Sequence, residues 1–194
     1  MAGIKSVCVY CGSASDTRES HRTAARNLGT RIGSAGIRLV FGGGRVGLMG
    51  LVADAALEAG GDVTGVIPRF LKAREVGHNG CTELIVTENM HDRKLRMAAL
   101  ADAIVVLPGG LGTLDEAFEI MTWKQLGLHD KPVVFVDIDG FWSPLVRLIE
   151  NQIAENYVRK TERTLFSVAS SVDSLFTLLK TVPASTISLE EKWI

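Results

Sequence analysis

Two short segments of this 194-residue chain combine residue types that can do chemistry together. Residues 108–113 form a glycine-rich run followed by Glu116, and a basic pair, Arg93 and Lys94, lies upstream. A glycine loop that opens a helix presents backbone amides and the helix dipole to an anion. A carboxylate beside such a pocket can reach a bound sugar or accept a proton from water, and an arginine can fix the carboxylate and a ligand together.

Another glycine-rich run, here called the first glycine loop because it comes earlier in the chain, occupies residues 42–50. Gly42, Gly44 and Gly47 have the spacing of a dinucleotide-binding loop, and Asp62 lies about 20 residues downstream. Glycines let a phosphate or a sugar approach the backbone closely. The spacing alone is a weak signal, because tight packing between a strand and a helix also requires glycine. An NAD-dependent oxidoreductase would moreover leave the run at 108–113 unexplained.

Each segment also has a purely structural interpretation, which the sequence leaves open. Thr113 and Glu116 fit a capping box, in which the glutamate only satisfies a backbone donor at the helix start. Arg93 and Lys94, with Arg96 nearby, also fit a solvated basic face. Cysteines and histidines are too scattered for a zinc site, so we expect no metal.

These residues need a scaffold that brings them to one edge, and the remaining sequence supplies its elements. Apolar β-branched runs, typical of strands covered on both faces, alternate with helical stretches. This order predicts an α/β fold with a doubly wound, mostly parallel sheet of about seven strands and helices on both faces. The predicted strands are 6–10, 37–41, 62–67, 83–86, 103–107, 133–137 and 165–168. The predicted helices are 20–35, 48–59, 90–101, 114–126, 144–156 and 172–179.

Two segments do not follow this alternation. The polar run 69–82 is expected to be a loop over the sheet edge that carries binding residues. We expect residues 1–182 to form one domain and residues 183–194 to form a C-terminal tail.

Composition narrows the classes of partner. The net charge is −1, so there is no basic excess for binding nucleic acid. Apolar runs are far shorter than the roughly 20 residues that span a bilayer, and no signal peptide is evident at the N-terminus. We therefore expect a cytoplasmic protein that does not contact membranes. Cys8, Cys11 and Cys81 are expected to be reduced thiols, and the mean hydropathy of +0.20 suggests an apolar surface buried between subunits.

In combination, these motifs resemble the Lonely Guy (LOG) family of cytokinin riboside 5′-monophosphate phosphoribohydrolases, often labelled possible lysine decarboxylases. The pattern P-G-G-x-G-T-x-x-E at 108–116 with M-H-x-R-K at 90–94 is highly specific. The resemblance implies a Rossmann-like fold and a homodimer. It also implies hydrolysis of the N-glycosidic bond of adenosine 5′-monophosphates, N6-modified ones included, to free base and ribose 5-phosphate, without a cofactor. The matching segments are 11–13, 42–50, 90–94, 108–116 and 122–127.

The resemblance also implies roles for individual residues. Arg93 and Glu116 match the catalytic arginine and glutamate of the family, and Lys94, Glu75 and Thr122 match further substrate contacts. The phosphate-binding stretch comprises Gly110, Leu111, Gly112, Thr113, Leu114 and Asp115. Other expected contacts are Ser13, Gly43, Gly44, Met49, Pro108 and Gly109.

Two points stay open after the resemblance, and the decarboxylase label has little physical support. The segment beginning at Pro68 and the alanine at position 14 depart from the common family pattern, which leaves the preferred base undecided. A non-catalytic nucleotide or molybdopterin carrier of the same fold is the main alternative, although a pure binder has no need of Glu116. A decarboxylase would need a lysine that forms a Schiff base with pyridoxal phosphate, and no lysine lies in a recognisable site for it.

Overall fold

The computed structural model describes residues 3–72 and 77–181, and seven strands in these ranges form one sheet. All six strand pairings are parallel, in the order β4-β3-β2-β1-β5-β6-β7. The strands are β1 Ser6–Tyr10, β2 Arg38–Phe41, β3 Val63–Pro68, β4 Glu83–Thr87, β5 Ala103–Val106, β6 Val133–Val136 and β7 Ser167–Ala169. The predicted Rossmann-like sheet is therefore confirmed, with every pairing parallel.

Helices cover both faces of the sheet. Helices α1, α2 and α7 pack on one face, and α4, α5 and α6 pack on the other. Since the central strands are buried from both sides, their sequences are continuously apolar. None of the described helices has the length and hydropathy needed to cross a membrane. The helices are α1 Glu19–Ser34, α2 Gly47–Glu58, α3 Arg69–Lys72, α4 Met90–Ala99, α5 Leu111–Gln125, α6 Ser143–Ala154 and α7 Val172–Thr181, with 3-10 helices at Ile138–Gly140 and Lys160–Leu165.

The strand order reverses between β1 and β5. Strands β2 to β4 extend from β1 in one direction, and β6 and β7 extend from β5 in the other. The loops that leave β1 and β5 consequently diverge to opposite faces and leave a crevice at the carboxyl edge. The two loops are joined at their base, where the Gly12 N–H donates to the Pro108 carbonyl at 3.1 Å.

Two predicted elements differ from the structure. Helix α5 begins at Leu111, three residues before the predicted start, because Gly112 adopts helical geometry and Gly110 takes the extended N-cap position. The capping box over Thr113 and Glu116 is therefore wrong, and Glu116 lies in the second turn. The run 69–82 is also more than a loop, since it begins with the short helix α3 and Gly77 pairs with Gly44 in an antiparallel bridge.

Helices α1 and α2 approach each other closely because small residues line their contact. A Cβ placed on Gly29 would overlap the Val52 carbonyl oxygen and lie 2.9 Å from the Ala55 Cβ. Gly33 has the same relation to the Ala56 carbonyl. The contact fixes α2, whose first turn belongs to the glycine-rich run 42–50.

We expect Gly29→Ala to destabilise the protein by about 2 kcal/mol, because overpacking against a backbone carbonyl outweighs the gain of about 1 kcal/mol in helix propensity. Urea unfolding at equilibrium measures the difference. The control is Asn27→Ala on the exposed side of the same helix, which should change stability by less than about 0.5 kcal/mol. A Gly29→Ala protein as stable as the wild type would contradict the close approach of α1 and α2.

Candidate active site

A cavity of about 260 Å³ opens at the point where the strand order reverses. Its walls come from the loop after β1, the first glycine loop after β2, helices α3 and α4, and the first two turns of α5. The lining residues are Val9, Cys11, Gly12, Ser13, Gly42, Met49, Leu71, Met90, Arg93, Gly110, Leu111, Gly112, Thr113 and Glu116. Parallel α/β sheets bind their ligands at this position.

The amino end of α5 forms one wall and is suited to an anion. Its N-cap residue, Gly110, has no side chain, so no N-cap side chain accepts a hydrogen bond from the N–H groups of the first turn. A Cβ on Gly110 or Gly112 would meet no protein atom within 4 Å, so these residues border open space. Gly109 differs, since a Cβ there would overlap the buried Thr113 hydroxyl. The helix thus presents its positive end and two uncovered glycines to the cavity.

A buried ion pair also lines the cavity. Arg93 Nη1 lies 3.1 Å from Glu116 Oε1, and each side chain is only 8% exposed. The same guanidinium donates through Nε to the Val66 carbonyl at 3.1 Å and through Nη2 to the Gly42 carbonyl at 3.2 Å. One arginine of α4 therefore joins β3, the first glycine loop and α5.

The first glycine loop makes room for the Arg93 guanidinium and accepts one of its hydrogen bonds. A Cβ on Gly42 would overlap Arg93 Nη2, so a larger residue would displace the guanidinium. Asp62, the acidic residue of the apparent dinucleotide fingerprint, precedes β3 and lies at the amino edge, opposite the cavity. The fingerprint also follows β2, whereas a dinucleotide loop follows the first strand. The NAD-binding interpretation is therefore unsupported by this geometry.

Comparisons with known proteins place the chain in a family. A family model described as "Possible lysine decarboxylase" matches residues 49–179. The cytokinin riboside 5′-monophosphate phosphoribohydrolase LOG of Oryza sativa subsp. japonica is 41% identical over 187 residues, covering 96% of this chain and 77% of its own. An enzyme with the same description from Rhodococcoides fascians is 41% identical over 177 residues, covering 91% and 89%. The chain belongs to the LOG family.

Solved structures agree on the fold of this LOG protein. The Moco carrier protein of Chlamydomonas reinhardtii superposes with a TM-score of 0.69 at 25% identity, covering 90% of this chain and 94% of the carrier. A pyridoxal phosphate-dependent decarboxylase would need a lysine in the cavity, and no lysine is among the described residues that line it. Lys124 is buried, but its Nζ donates to the Lys131 carbonyl at 2.9 Å, away from the cavity.

The structure gathers about half of the predicted site residues of the LOG protein around the cavity. The others are not part of the lining, and Glu75 falls outside the described residues. Those in the lining are Ser13, Met49, Arg93, Gly110, Leu111, Gly112, Thr113 and Glu116. Those outside the lining are Gly43, Gly44, Lys94, Pro108, Gly109, Leu114, Asp115 and Thr122.

Lys94 and Thr122 are directed to other partners. The Lys94 ammonium lies 3.1 Å from an Asp115 oxygen and 3.0 Å from a Glu119 oxygen, which joins α4 to α5. Thr122 lies on the exposed side of α5 and donates to the Phe118 carbonyl at 2.8 Å. Their substrate contacts remain predictions from the resemblance.

Several lining residues were not among the predicted contacts. Gly42 and Met90 line the cavity and belong to the sequence motifs at 42–50 and 90–94, although neither motif indicates a contact for them. Leu71 carried no signal, because a helix of four residues is too short to show a period. Met49, Leu71 and Met90 together give the cavity an apolar wall.

Cys8 in the middle of β1 and Cys11 directly after the strand belong to the hydrophobic core. Cys8 and Cys11 are buried, and burial raises the pKa of both thiols, with the Glu116 carboxylate adding to the effect. A redox C-x-x-C pair needs a lowered pKa at a helix terminus. This pair has the opposite electrostatic environment.

Burial also controls the ionisation of Glu116. It raises the pKa of this carboxyl from 4.5 to about 7, against the lowering effect of Arg93 and with a further rise from Asp115. A carboxyl with this pKa exchanges its proton near neutral pH. It can therefore serve as an acid or a base in catalysis.

The raised pKa predicts a pH-dependent stability. Because the folded state holds the proton more tightly than the unfolded chain, the contribution of Glu116 is most favourable below pH 4.5 and is lost as the pH rises to about 7. The free energy of unfolding of Glu116→Gln, relative to wild type, should rise by about 3 kcal/mol between pH 4.5 and pH 8. Urea unfolding across this range measures it. Glu58→Gln, at an exposed glutamate of α2, is the matched control, and a flat difference for Glu116→Gln would contradict the assignment.

Proposed function

We propose that this LOG-family enzyme is a phosphoribohydrolase that cleaves the N-glycosidic bond of adenosine 5′-monophosphates, including N6-modified ones. The products are the free base and ribose 5-phosphate. The observation that carries the proposal is the buried pair of Arg93 and Glu116 in the same cavity as the uncapped amino end of α5. The names of the rice and Rhodococcoides fascians relatives support the same activity.

The 5′-phosphate binds at the amino end of α5 in this proposal. Backbone amides of the first turn donate to its oxygens, and the uncovered faces of Gly110 and Gly112 allow close approach. The phosphate does not react, so its binding energy serves to orient the ribose. The base then lies toward the apolar wall of Met49, Leu71 and Met90.

Glu116 acts on the ribose. Breaking the bond between C1′ and the base leaves positive charge on the sugar ring, which a carboxylate stabilises. Water supplies a hydroxyl group to C1′ and a proton to the departing base. Arg93 contacts Glu116 through Oε1, and the second carboxylate oxygen can orient this water or accept its proton. This mechanism requires no metal and no cofactor.

Arg93 keeps Glu116 in the form that this chemistry requires. Its positive charge is the largest effect that opposes burial and lowers the pKa of the carboxyl. Two further hydrogen bonds to backbone carbonyls hold the guanidinium, so the carboxylate meets a fixed partner. Orientation and ionisation of Glu116 thus depend on one side chain.

Release of free adenine and N6-isopentenyladenine from the corresponding 5′-monophosphates is the expected activity, followed by chromatography. Glu116→Gln and Arg93→Ala should each lower kcat by at least about 100-fold, since they remove a catalytic acid–base group or its partner. Arg96→Ala, an exposed arginine of the same helix, is the matched control and should retain full activity. Binding of both nucleotides without hydrolysis would replace this proposal with the carrier function.

We further propose that the enzyme is a cytoplasmic homodimer in which the exposed face of α5 is covered. Leu111 is 85% exposed and Phe118 is 39% exposed, and Thr122 lies on the same face. Leu95 of α4 is also 59% exposed. Clusters of exposed apolar side chains commonly mark subunit contacts. The free thiols of Cys8, Cys11 and Cys81 suit a reducing compartment.

Light scattering after size exclusion should give twice the 20.9 kDa chain mass. Phe118→Asp should shift the protein toward the monomer, because it places a charge in the apolar contact. Leu128→Asp introduces the same charge at an exposed leucine beyond the carboxyl end of α5 and is the control. A wild-type protein with the mass of one chain would contradict the dimer and leave the hydrolase proposal intact.

A further inference from the structure

The connection between β3 and β4 folds back onto the first glycine loop through His78. The His78 N–H donates to the Gly43 carbonyl at 2.9 Å, and the preceding Gly77 pairs with Gly44. The His78 residue is only 4% exposed. The glycine loop is therefore held by a backbone clamp whose residues do not line the cavity.

The imidazole of His78 adds a second clamp. Its Nδ1 accepts the Gly80 N–H at 3.2 Å, so the proton of the neutral ring resides on Nε2. Nε2 then donates to Asp54 Oδ1 at 2.8 Å, and the ring stands edge-on to Phe41. Asp54 belongs to α2, the helix that leaves the glycine loop. His78 thus fastens the loop near its start and the helix that follows it.

This clamp binds the residue next to the one whose carbonyl accepts from Arg93. Gly43, held by His78, is the neighbour of Gly42, whose carbonyl accepts the Arg93 Nη2–H. The other carbonyl bound by Arg93 belongs to Val66 in the middle of β3, where sheet hydrogen bonds fix it. The Gly42 carbonyl stands just beyond β2 and depends on the loop for its position.

We propose that His78, oriented by Asp54, is a positioning residue that fixes the Gly42 carbonyl and thereby the guanidinium of Arg93 during bond cleavage. The side chain is not part of the cavity lining, so it acts through the loop and does not touch the substrate. Among the residues that the structure describes, no hydrogen bond joins this clamp to the amino end of α5, where the phosphate anchor is proposed. The inference rests on the proposed hydrolase function.

The proposal predicts that variants of the clamp lose catalytic rate and keep their affinity for the nucleotide. Displacing a catalytic group by about 1 Å costs on the order of 100-fold in rate, whereas the phosphate anchor on α5 is unaffected. We expect His78→Ala and Asp54→Ala to lower kcat by about 10- to 100-fold. The dissociation constant for AMP, measured in the Glu116→Gln background to prevent turnover, should change less than about threefold. His78→Gln, whose amide can still donate to Asp54, should recover most of kcat.

The control variant is Thr82→Val, which removes the acceptor of the Val63 N–H at the far end of the same connection and leaves the glycine loop untouched. Its kcat should equal that of wild type even where its melting temperature falls as far as that of His78→Ala. Unchanged kcat in His78→Ala overturns the proposal. A parallel loss of kcat in Thr82→Val, or an equal loss of AMP affinity, shows a general structural role and overturns it as well.

A readout without activity separates this proposal from the hydrolase function. The Arg93 Nη2–H proton that binds the Gly42 carbonyl, observed by ¹⁵N NMR, is expected to exchange with water about tenfold faster in His78→Ala and at the wild-type rate in Thr82→Val. If the wild type hydrolyses nothing, the proposed function fails, and this exchange rate still decides whether His78 holds Arg93. An unchanged exchange rate in His78→Ala would refute the clamp.

Discussion

The contact between Arg93 and Glu116 is the constraint on which the rest of the site depends. Removing two charges from water is costly, and buried ion pairs contribute little net stability for that reason. What the pair provides is geometry. The guanidinium is 3.1 Å from the carboxylate and bonds two backbone carbonyls on separate elements. A guanidinium with five donors in a rigid planar fork can join three elements at fixed angles, whereas the three donors of a lysine share one rotatable nitrogen.

The electrostatics of the cavity follow from this pair and its neighbours. Burial favours the neutral carboxyl of Glu116, Asp115 and Glu119 favour it further, and Arg93 and Lys94 oppose it, with a resulting pKa of about 7. Lys94 neutralises both neighbouring carboxylates by direct contact. An arriving phosphate would add negative charge, and the positive end of α5 offsets it locally. Lys94 thus lowers the pKa of Glu116 without lining the cavity.

The sequence predicted the sheet because the strands are buried on both faces and read as apolar runs, and the loops at its carboxyl edge follow from that topology. It did not predict where α5 begins. A glycine in a first turn costs only about 1 kcal/mol, so Gly112 could not mark the boundary. The pairing of Arg93 with Glu116 came from family resemblance, since the partners lie on different helices. Leu71 was missed because α3 has no period to detect.

Glycine-rich runs with similar sequences meet two different physical demands in this molecule. At Gly110 and Gly112 the missing side chain leaves space that a ligand can occupy. At Gly42 and Gly109 the same space is filled by the protein, by the Arg93 guanidinium and by the Thr113 hydroxyl. The first kind builds an anion cradle, as in many nucleotide-binding folds. The second kind makes room for protein atoms, so the positions of the Arg93 guanidinium and of the Thr113 hydroxyl depend on glycines whose missing side chains those groups replace.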